Sequence, residues 1–174
     1  MSTILKIVLP FILLCGIYSE ENIENNTIQE TTTYYFIRHA EKDRSNKNEK
    51  DPNLTAEGLK RAQRWAEVLK DIPLDIVLST NYKRTLQTGA PIAGSKQLSI
   101  ENYNASNGFD EEFRKRTHGK RVLVVGHSNT TPQFVNDILG EEKYANIDDT
   151  ENGALFIVQI LPNKEILDQV LYIN

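Results

Sequence analysis

Short apolar runs of strand length alternate along this chain with longer segments that have helical periodicity. The runs TYYFIR (33–38), DIVLS (75–79) and RVLVVGH (121–127) are β-prone and almost continuously apolar. Runs that are apolar on both faces are typical of parallel strands covered by helices on either side. We therefore predict an α/β fold, a three-layer sandwich in which a mostly parallel central sheet is flanked by helices.

The segment after the first run predicts an amphipathic helix over residues 54–70, with Thr55 as its N-cap. Four of its apolar side chains are spaced to share one face: Leu59, Ala62, Ala66 and Leu69. Trp65 lies next to this face, and we expect it to pack in the core rather than to recognise a ligand.

Two more helices are predicted, and each is followed by residues that commonly end a helix. One covers residues 81–94 and is expected to end at Pro91 and Gly94. A shorter one, over residues 108–119, is expected to end at Gly119.

The last helix is predicted over residues 130–140, with Thr130 or Thr131 as its cap and Pro132 at its first position. Three further strands are predicted over residues 98–103, 153–161 and 166–173.

Length and composition limit the class of protein. The chain has 174 residues, of which 39% are hydrophobic and 25% charged, which fits one globular domain. Its formal net charge of −4 comes from interspersed charges of both signs, so we expect no nucleic-acid partner.

The first 19 residues have the layout of a secretory signal peptide. A lysine near the start is followed by an apolar run from Ile7 to Tyr18, which is shorter than the roughly 20 residues of a membrane-spanning helix. We expect cleavage between Gly16 and Ser19, a polar linker over 20–32 and one domain over 33–174. The mature protein would be secreted or periplasmic, without a stable membrane span.

Cys15, the single cysteine, leaves an alternative open. A retained anchor or a lipid on Cys15 would keep the protein at a membrane, although Leu14 stands where bacterial lipoprotein signals usually have a small residue. A chain cleaved after Cys15 would contain no disulfide and no catalytic thiol.

Polar clusters follow three of the predicted strands. Arg38 and His39 follow the first, Arg84 comes shortly after the second, and His127 and Ser128 follow the third. Because the carboxyl ends of parallel strands meet at one edge of a sheet, two histidines and two arginines are expected to lie close together there.

This combination suits a phosphoryl group. Guanidinium groups bind phosphate oxygens in bidentate fashion, and the helix near Thr131 would add its N-terminal N–H groups. Since neighbouring arginines disfavour a protonated imidazole, His39 could remain an unprotonated nucleophile at neutral pH.

Three motifs carry a resemblance to a known family. RHAEK (38–42), LSTNYKRTLQT (78–88) and VVGHSNT (124–130) occur in this order at intervals of roughly 45 residues, and together they resemble the histidine phosphatase superfamily, with its phosphoglycerate mutase-like fold. The resemblance covers residues 33 to about 160, including a helix after the first motif.

The resemblance implies a phosphatase that acts on a small phosphate monoester, or on phosphohistidine, without a metal or other cofactor. His39 would be the nucleophile that becomes phosphohistidine, and Arg38, Arg84 and His127 would complete the catalytic pocket. Arg38, Arg84 and Ser128 would bind the substrate.

The same resemblance leaves the proton donor open. His127 is followed by Ser128, whereas the acid phosphatase and phytase branch has a His-Asp pair, so the chain resembles the small phosphatases of the other branch. The candidates for the acid are Glu41, Glu101 and Asp110, or none of them.

Several alternatives remain at this point. A phosphomutase or phosphotransferase is disfavoured by the absence of long insertions, and a non-catalytic phosphate-binding protein of the same fold is a further possibility. A metal site formed by His39 and His127 with Glu41 or Asp43 is disfavoured because the flanking arginines would repel the cation. We expect His118, at a polar helix end, to be structural. The natural substrate and the oligomeric state stay open.

Overall fold

The computed structural model describes residues 30–173. The predicted signal peptide and most of the predicted linker lie outside these residues. Within them the chain forms six strands and four α-helices, with one 3₁₀ turn at Ala105–Asn107. In chain order the elements are β1 (Thr32–Arg38), α1 (Ala56–Val68), β2 (Ile76–Ser79), α2 (Lys83–Ser95), β3 (Ile100–Asn102), α3 (Glu111–Thr117), β4 (Arg121–Gly126), α4 (Thr130–Leu139), β5 (Ala154–Ile160) and β6 (Ile166–Tyr172).

One sheet contains all six of these strands, in the order β3-β2-β4-β1-β5-β6. The pairs β3–β2, β2–β4 and β4–β1 are parallel, whereas β1–β5 and β5–β6 are antiparallel. The predicted mostly parallel α/β sheet is therefore confirmed. The three strands that precede the polar clusters are direct neighbours, which is what brings those clusters together.

Helices cover both faces of the sheet. Alternate residues of the central strands point to opposite sides: Tyr34 and Phe36 of β1 pack in the same layer as Phe113 and Phe134 of α3 and α4. Ile37 of β1 packs in the other layer, formed by α1 and α2.

Trp65 of α1 is 1% exposed and belongs to the second layer, so its predicted packing role is confirmed. Burying a large apolar side chain contributes on the order of 2 kcal/mol, so these two layers dominate the stability of the fold.

The first helix is confirmed with one correction. Thr55 is the N-cap, and its hydroxyl accepts a hydrogen bond from the Gly58 N–H. Ala62, Ala66 and Leu69 are buried as predicted, but Leu59 is 49% exposed. The buried face instead includes Gly58, where α1 passes close to the backbone that follows β1.

The second helix ends within one residue of the predicted Gly94, but Pro91 does not stop it. α2 continues through Pro91 and Gly94 to Ser95. Pro91 lacks an N–H and weakens the helix, but the neighbouring Ile92 and Ala93 are buried against the sheet. Their packing offsets the lost hydrogen bond and keeps this last turn helical.

The last helix starts earlier than predicted. Thr130 and Thr131 are its first residues, Asn129 is the N-cap, and Pro132 is at the third position. The Thr131 N–H already donates to the His127 carbonyl, so the chain turns from β4 directly into α4. In residues 30–173, no helix has the length and apolar character needed to cross a membrane.

Candidate active site

The three sequence motifs are joined by hydrogen bonds at the carboxyl edge of the sheet. The His39 N–H donates to the Gly126 carbonyl at 2.9 Å, which continues the β1–β4 ladder past the ends of the strands. The Ala40 N–H donates to Thr88 Oγ1 of α2, also at 2.9 Å. The first motif is thereby fixed against both of the others.

A cleft of about 620 Å³ lies at this edge. All five of the residues predicted for the site line it: Arg38, His39, Arg84, His127 and Ser128. The structure thus brings together every member of the predicted set, while their chemical roles stay predictions.

The tautomer of His39 is fixed by the backbone carbonyl of the next residue, Ala40. The ring is 3% exposed, and its Nδ1 lies 2.7 Å from the Ala40 carbonyl oxygen. Because a carbonyl only accepts hydrogen bonds, Nδ1 carries the proton, and Nε2 of the neutral ring has a free lone pair.

Burial lowers the pKa of His39 from 6.5 to about 3, and the charges of Arg38, His127 and Arg84 act in the same direction. The hydrogen bond to Ala40 opposes them in part. His39 is therefore neutral at physiological pH.

The ring of His127 lies beside that of His39, with 5.6 Å between the ring centroids. Arg84 Nη2 is 3.5 Å from its Nδ1, and Thr80 Oγ1 is 2.9 Å from its Nε2. Since arginine only donates, Nδ1 accepts and Nε2–H donates to Thr80. Burial, followed by the charge of Arg84, lowers the pKa of His127 to about 4.

A loop after α4 holds the Arg38 guanidinium. Arg38 is 2% exposed, and its Nη1 donates to the carbonyls of Asp148 and Glu151 at 2.8 and 2.9 Å. Its Nη2 donates to Asp149 Oδ1 at 2.6 Å. Arg38 Nε is buried and has no hydrogen-bond partner among the residues described.

Arg84 projects from the first turn of α2. Its guanidinium lies 4.3 Å from the centre of the Tyr82 ring, and Nη1 is 3.5 Å from Asp51 Oδ1. Arg84 Nε and Nη1 have no hydrogen-bond partner within residues 30–173. Arg38 and Arg84, which both line the cleft, therefore have three guanidinium nitrogens without a hydrogen-bond partner in the described chain.

None of the candidate proton donors lines the cleft. Glu41 accepts from Arg61 Nε at 2.6 Å, and Glu101 pairs with Arg116. Asp110 caps α3 by accepting from the Phe113 N–H at 2.7 Å. These carboxylates have structural partners on other surfaces of the protein.

Asp149 is the one acidic residue in the described lining of the cleft, and no pattern in the sequence indicated it. Its carboxylate bridges Arg38 and Arg44, with Arg44 Nη2 at 2.7 Å. Hydrogen bonding to Arg44, together with Arg38, lowers the pKa of Asp149 to about 2, so this carboxyl group is ionised at neutral pH.

Other residues of the lining were not predicted for the site either, among them Thr80, Tyr82 and Lys42. Thr80 directly follows β2, so the rule that pointed to Arg38 and His39 could also have found it. Nothing in the sequence marks Tyr82, Lys42 or Asp149, because each is an ordinary polar or aromatic residue of a loop.

The arrangement does not favour the alternative metal site. Glu41 and Asp43 are absent from the lining of the cleft. In the part of the chain that the structure describes, no three His, Cys, Asp or Glu side chains are grouped to hold a metal ion. His118 is exposed and lies outside the cleft.

Comparison with known proteins adds to this geometry. The sequence model of the histidine phosphatase superfamily (branch 1) matches residues 34–111, from β1 to the start of α3. No curated protein matches the chain.

Solved structures share the fold. The α-ribazole phosphatase of Shigella flexneri is 17% identical, with a TM-score of 0.61 over 80% of this chain and 96% of that one. The phosphoserine phosphatase of Entamoeba histolytica is 17% identical, with a TM-score of 0.60 over 82% and 98%.

A protein of Agrobacterium tumefaciens proposed to be the phosphohistidine phosphatase SixA is 19% identical, with a TM-score of 0.58 over 78% and 97%. At these identities the similarity shows a common fold. The chain is therefore similar to branch 1 of the histidine phosphatase superfamily in the sequence of residues 34–111, in its fold and in the three motifs around one cleft.

Proposed function

We propose that the protein is a phosphatase that hydrolyses a phosphate monoester, or phosphohistidine, through a covalent phosphohistidine at His39 and without a metal. The observation that carries this proposal is the position of His39, whose Nε2 is unprotonated in a cleft shared with Arg38, Arg84 and His127.

The protonation state of His39 supports its role as nucleophile. Its pKa of about 3 keeps the ring neutral at physiological pH, and its Nδ1–H is held by the Ala40 carbonyl. The lone pair at Nε2 is then available to attack phosphorus, and the ring orientation is fixed before substrate binds.

The cations of the cleft support phosphate binding. Arg38 Nε and Arg84 Nε and Nη1 are donors without a hydrogen-bond partner in the described chain. Ser128 and Thr130, at the N-terminus of α4, line the same cleft. These donors, with the positive end of the helix dipole, would stabilise charge on the equatorial oxygens during transfer.

The reaction would proceed in two displacements. His39 Nε2 forms a bond to phosphorus while the bond from phosphorus to the leaving group breaks, and the leaving group takes a proton from water. A second water then attacks the phosphohistidine, which releases inorganic phosphate and regenerates neutral His39. The proton that this water loses neutralises the hydroxide left by the first water. The net reaction consumes one water and yields one alcohol, or one amine, and one phosphate.

The lining of the cleft favours leaving groups that need little acid assistance. Asp149, its one acidic residue in the described chain, has a pKa of about 2 and holds no proton to donate near neutral pH. Aryl phosphates and phosphoramidates such as phosphohistidine fit this condition better than simple alkyl phosphates. The structural similarity to the protein proposed to be SixA supports the same class.

The decisive experiment compares His39→Ala with the wild type in hydrolysis of 4-nitrophenyl phosphate. We expect activity to fall by at least 10³-fold, because the nucleophile is removed, with an unchanged circular dichroism spectrum. His118→Ala removes an exposed histidine outside the cleft and should keep full activity. Full activity in His39→Ala would refute the proposal.

Further measurements separate the rival functions. Vanadate should inhibit because it imitates the trigonal-bipyramidal transition state, and chelators should have no effect. Binding of a phosphate ester without release of phosphate would indicate a binding protein. Transfer of phosphate to an added alcohol in preference to water would indicate a phosphotransferase.

Export is part of the proposal and is supported by the leader-like first 19 residues. The mass of the protein recovered from the envelope or the medium tests it. A mature chain that begins after Gly16 to Ser19 is expected, and an intact N-terminus in the cytoplasm would contradict export.

A further inference from the structure

The cleft is larger than the reacting group needs. Its volume of about 620 Å³ lies within the range of small-molecule sites, so a phosphoryl group beside His39 leaves room for the rest of a substrate. Much of the remaining lining is polar and uncharged, with Asn81, Asn104, Ser106 and Asn129. The leaving group is thus expected to be a polar molecule held inside the cleft.

Lys42 is the one cation in the described lining that is not assigned to the transferred phosphoryl group. It follows His39 by three residues, and its backbone is fixed by a β-bridge to Leu54. Its ammonium group has no ion pair and no side-chain hydrogen bond with any residue described.

The surroundings of Lys42 are cationic. Burial lowers its pKa, and the charges of Arg44, Arg84 and Arg38 add to this effect. Asp149 is the one nearby carboxylate that acts in the opposite direction, and both of its oxygens are already bound to Arg38 and Arg44. An anionic ligand group would therefore relieve a repulsion that the described chain does not neutralise.

We infer that Lys42 determines specificity by binding a second acidic group, a carboxylate or another phosphate, on the leaving-group side of the substrate. The inference rests on the proposed function and narrows it to phosphorylated acids. Lys42 differs in this from Arg38 and Arg84, whose unpartnered nitrogens are assigned to the transferred phosphoryl group.

The test uses two esters that share one three-carbon skeleton. 3-Phosphoglycerate ends in a carboxylate, and glycerol 1-phosphate ends in an alcohol. In the wild type we expect kcat/KM to be at least tenfold higher for the carboxylate ester, and in Lys42→Met this preference should fall to about twofold or less. Lys47→Met removes an exposed lysine of the same loop and should retain the preference.

A binding measurement keeps this test independent of turnover. Calorimetric titration of the His39→Ala protein should show tighter binding of 3-phosphoglycerate than of glycerol 1-phosphate, and adding Lys42→Met should abolish the difference. If the wild type hydrolyses no ester yet this difference is found, the proposed function fails while the role of Lys42 stands.

Two outcomes would overturn the inference. Equal binding of the two compounds to the His39→Ala protein would show that no second acidic group is recognised. An equal loss for both compounds on adding Lys42→Met would show that Lys42 contacts the transferred phosphoryl group instead.

Discussion

His39 and His127 lie side by side but are fixed in opposite tautomers. His39 carries its proton on Nδ1, where it donates to Ala40, and His127 carries its proton on Nε2, where it donates to Thr80. Each ring is neutral because it is buried among cations. Two chemically identical side chains can therefore have different roles, since Nε2 of His39 is left free while Arg84 and Thr80 engage both ring nitrogens of His127.

Asp149 supplies the one negatively charged side chain in the described lining of the cleft. It is 62% exposed, and its carboxylate binds Nη2 of the buried Arg38, a residue that also lines the cleft. A phosphate that approaches Arg38 meets this negative charge. Because Arg38 Nη1 is held separately by two backbone carbonyls, the guanidinium does not depend on Asp149 for its orientation.

Replacing Asp149 with Asn should tighten the binding of anions. Removing a partly exposed negative charge next to Arg38 should make the binding free energy of an anion more favourable by about 1 kcal/mol. We therefore expect the inhibition constant of vanadate to fall roughly fivefold. Inhibition of 4-nitrophenyl phosphate hydrolysis measures it.

Asp148→Asn is the matched control for this change. It removes the same charge from the same loop, but the Asp148 carboxylate binds Thr150 rather than Arg38, so the vanadate constant should change little. Weaker inhibition in Asp149→Asn would mean instead that the carboxylate positions Arg38.

The central residues of the site could be predicted because strand ends reveal them. Arg38, His39 and His127 follow apolar runs directly, and the runs proved to be neighbours in the sheet. Lys42 and Asp149 could not be predicted, because they reach the cleft through loop conformations that leave no periodic pattern. The acids that the sequence offered, such as Glu41, point to arginines elsewhere.

Helix α1 packs closely against the segment that follows β1. A methyl group on Gly58 would lie 2.3 Å from the Glu41 carbonyl oxygen, and the Thr55 N–H donates to this same oxygen at 2.8 Å. The glycine permits an approach that holds the backbone next to His39. A methyl group on Gly94 of α2 would have no neighbouring atom within 4 Å.

The two helical glycines should respond to alanine with opposite signs. Alanine favours a helix by up to about 1 kcal/mol over glycine, so Gly94→Ala should raise the free energy of unfolding by roughly 0.5 kcal/mol. Gly58→Ala should lower it by about 1–2 kcal/mol, since overpacking outweighs this gain. Urea denaturation of both variants measures the difference, and a stabilised Gly58→Ala would refute the close contact.

The elements themselves were largely predictable, and the errors have local causes. Hydrophobic periodicity identified β1, β2, β4 and α1, because each buries a regular set of side chains. Pro91 does not stop α2 as expected, because the packing of Ile92 and Ala93 overrides its effect. Strand order, including the antiparallel pair β5–β6 at one edge, depends on contacts between distant segments and has no local signal.

The cleft is built from distant parts of the chain. The lining residues lie between Arg38 and Asp149 in the sequence. They come from the ends of β1, β2 and β4, the segments after β1 and β3, the starts of α2 and α4, and the loop before β5. A ligand bound there contacts segments that come together only in the folded state. Its binding energy is therefore added to the stability of the entire domain.

Inorganic phosphate should accordingly stabilise the protein against heat. At a concentration of 100 times its Kd, a ligand that binds only the folded state raises the free energy of unfolding by about 2.7 kcal/mol. For a domain of this size that raises Tm by roughly 5–10 °C. Differential scanning calorimetry in phosphate and in a non-coordinating buffer of equal ionic strength measures the shift.

Arg84→Gln should reduce this shift to a degree or two, because two of the unpartnered donors of the cleft are lost with the guanidinium. Arg64→Gln removes an exposed arginine of α1 and should leave the shift intact. A chelator should not alter it either, since arginines rather than a metal are expected to bind the anion. A shift that persists in Arg84→Gln but disappears with the chelator would place phosphate on a metal ion and contradict the site described for this protein.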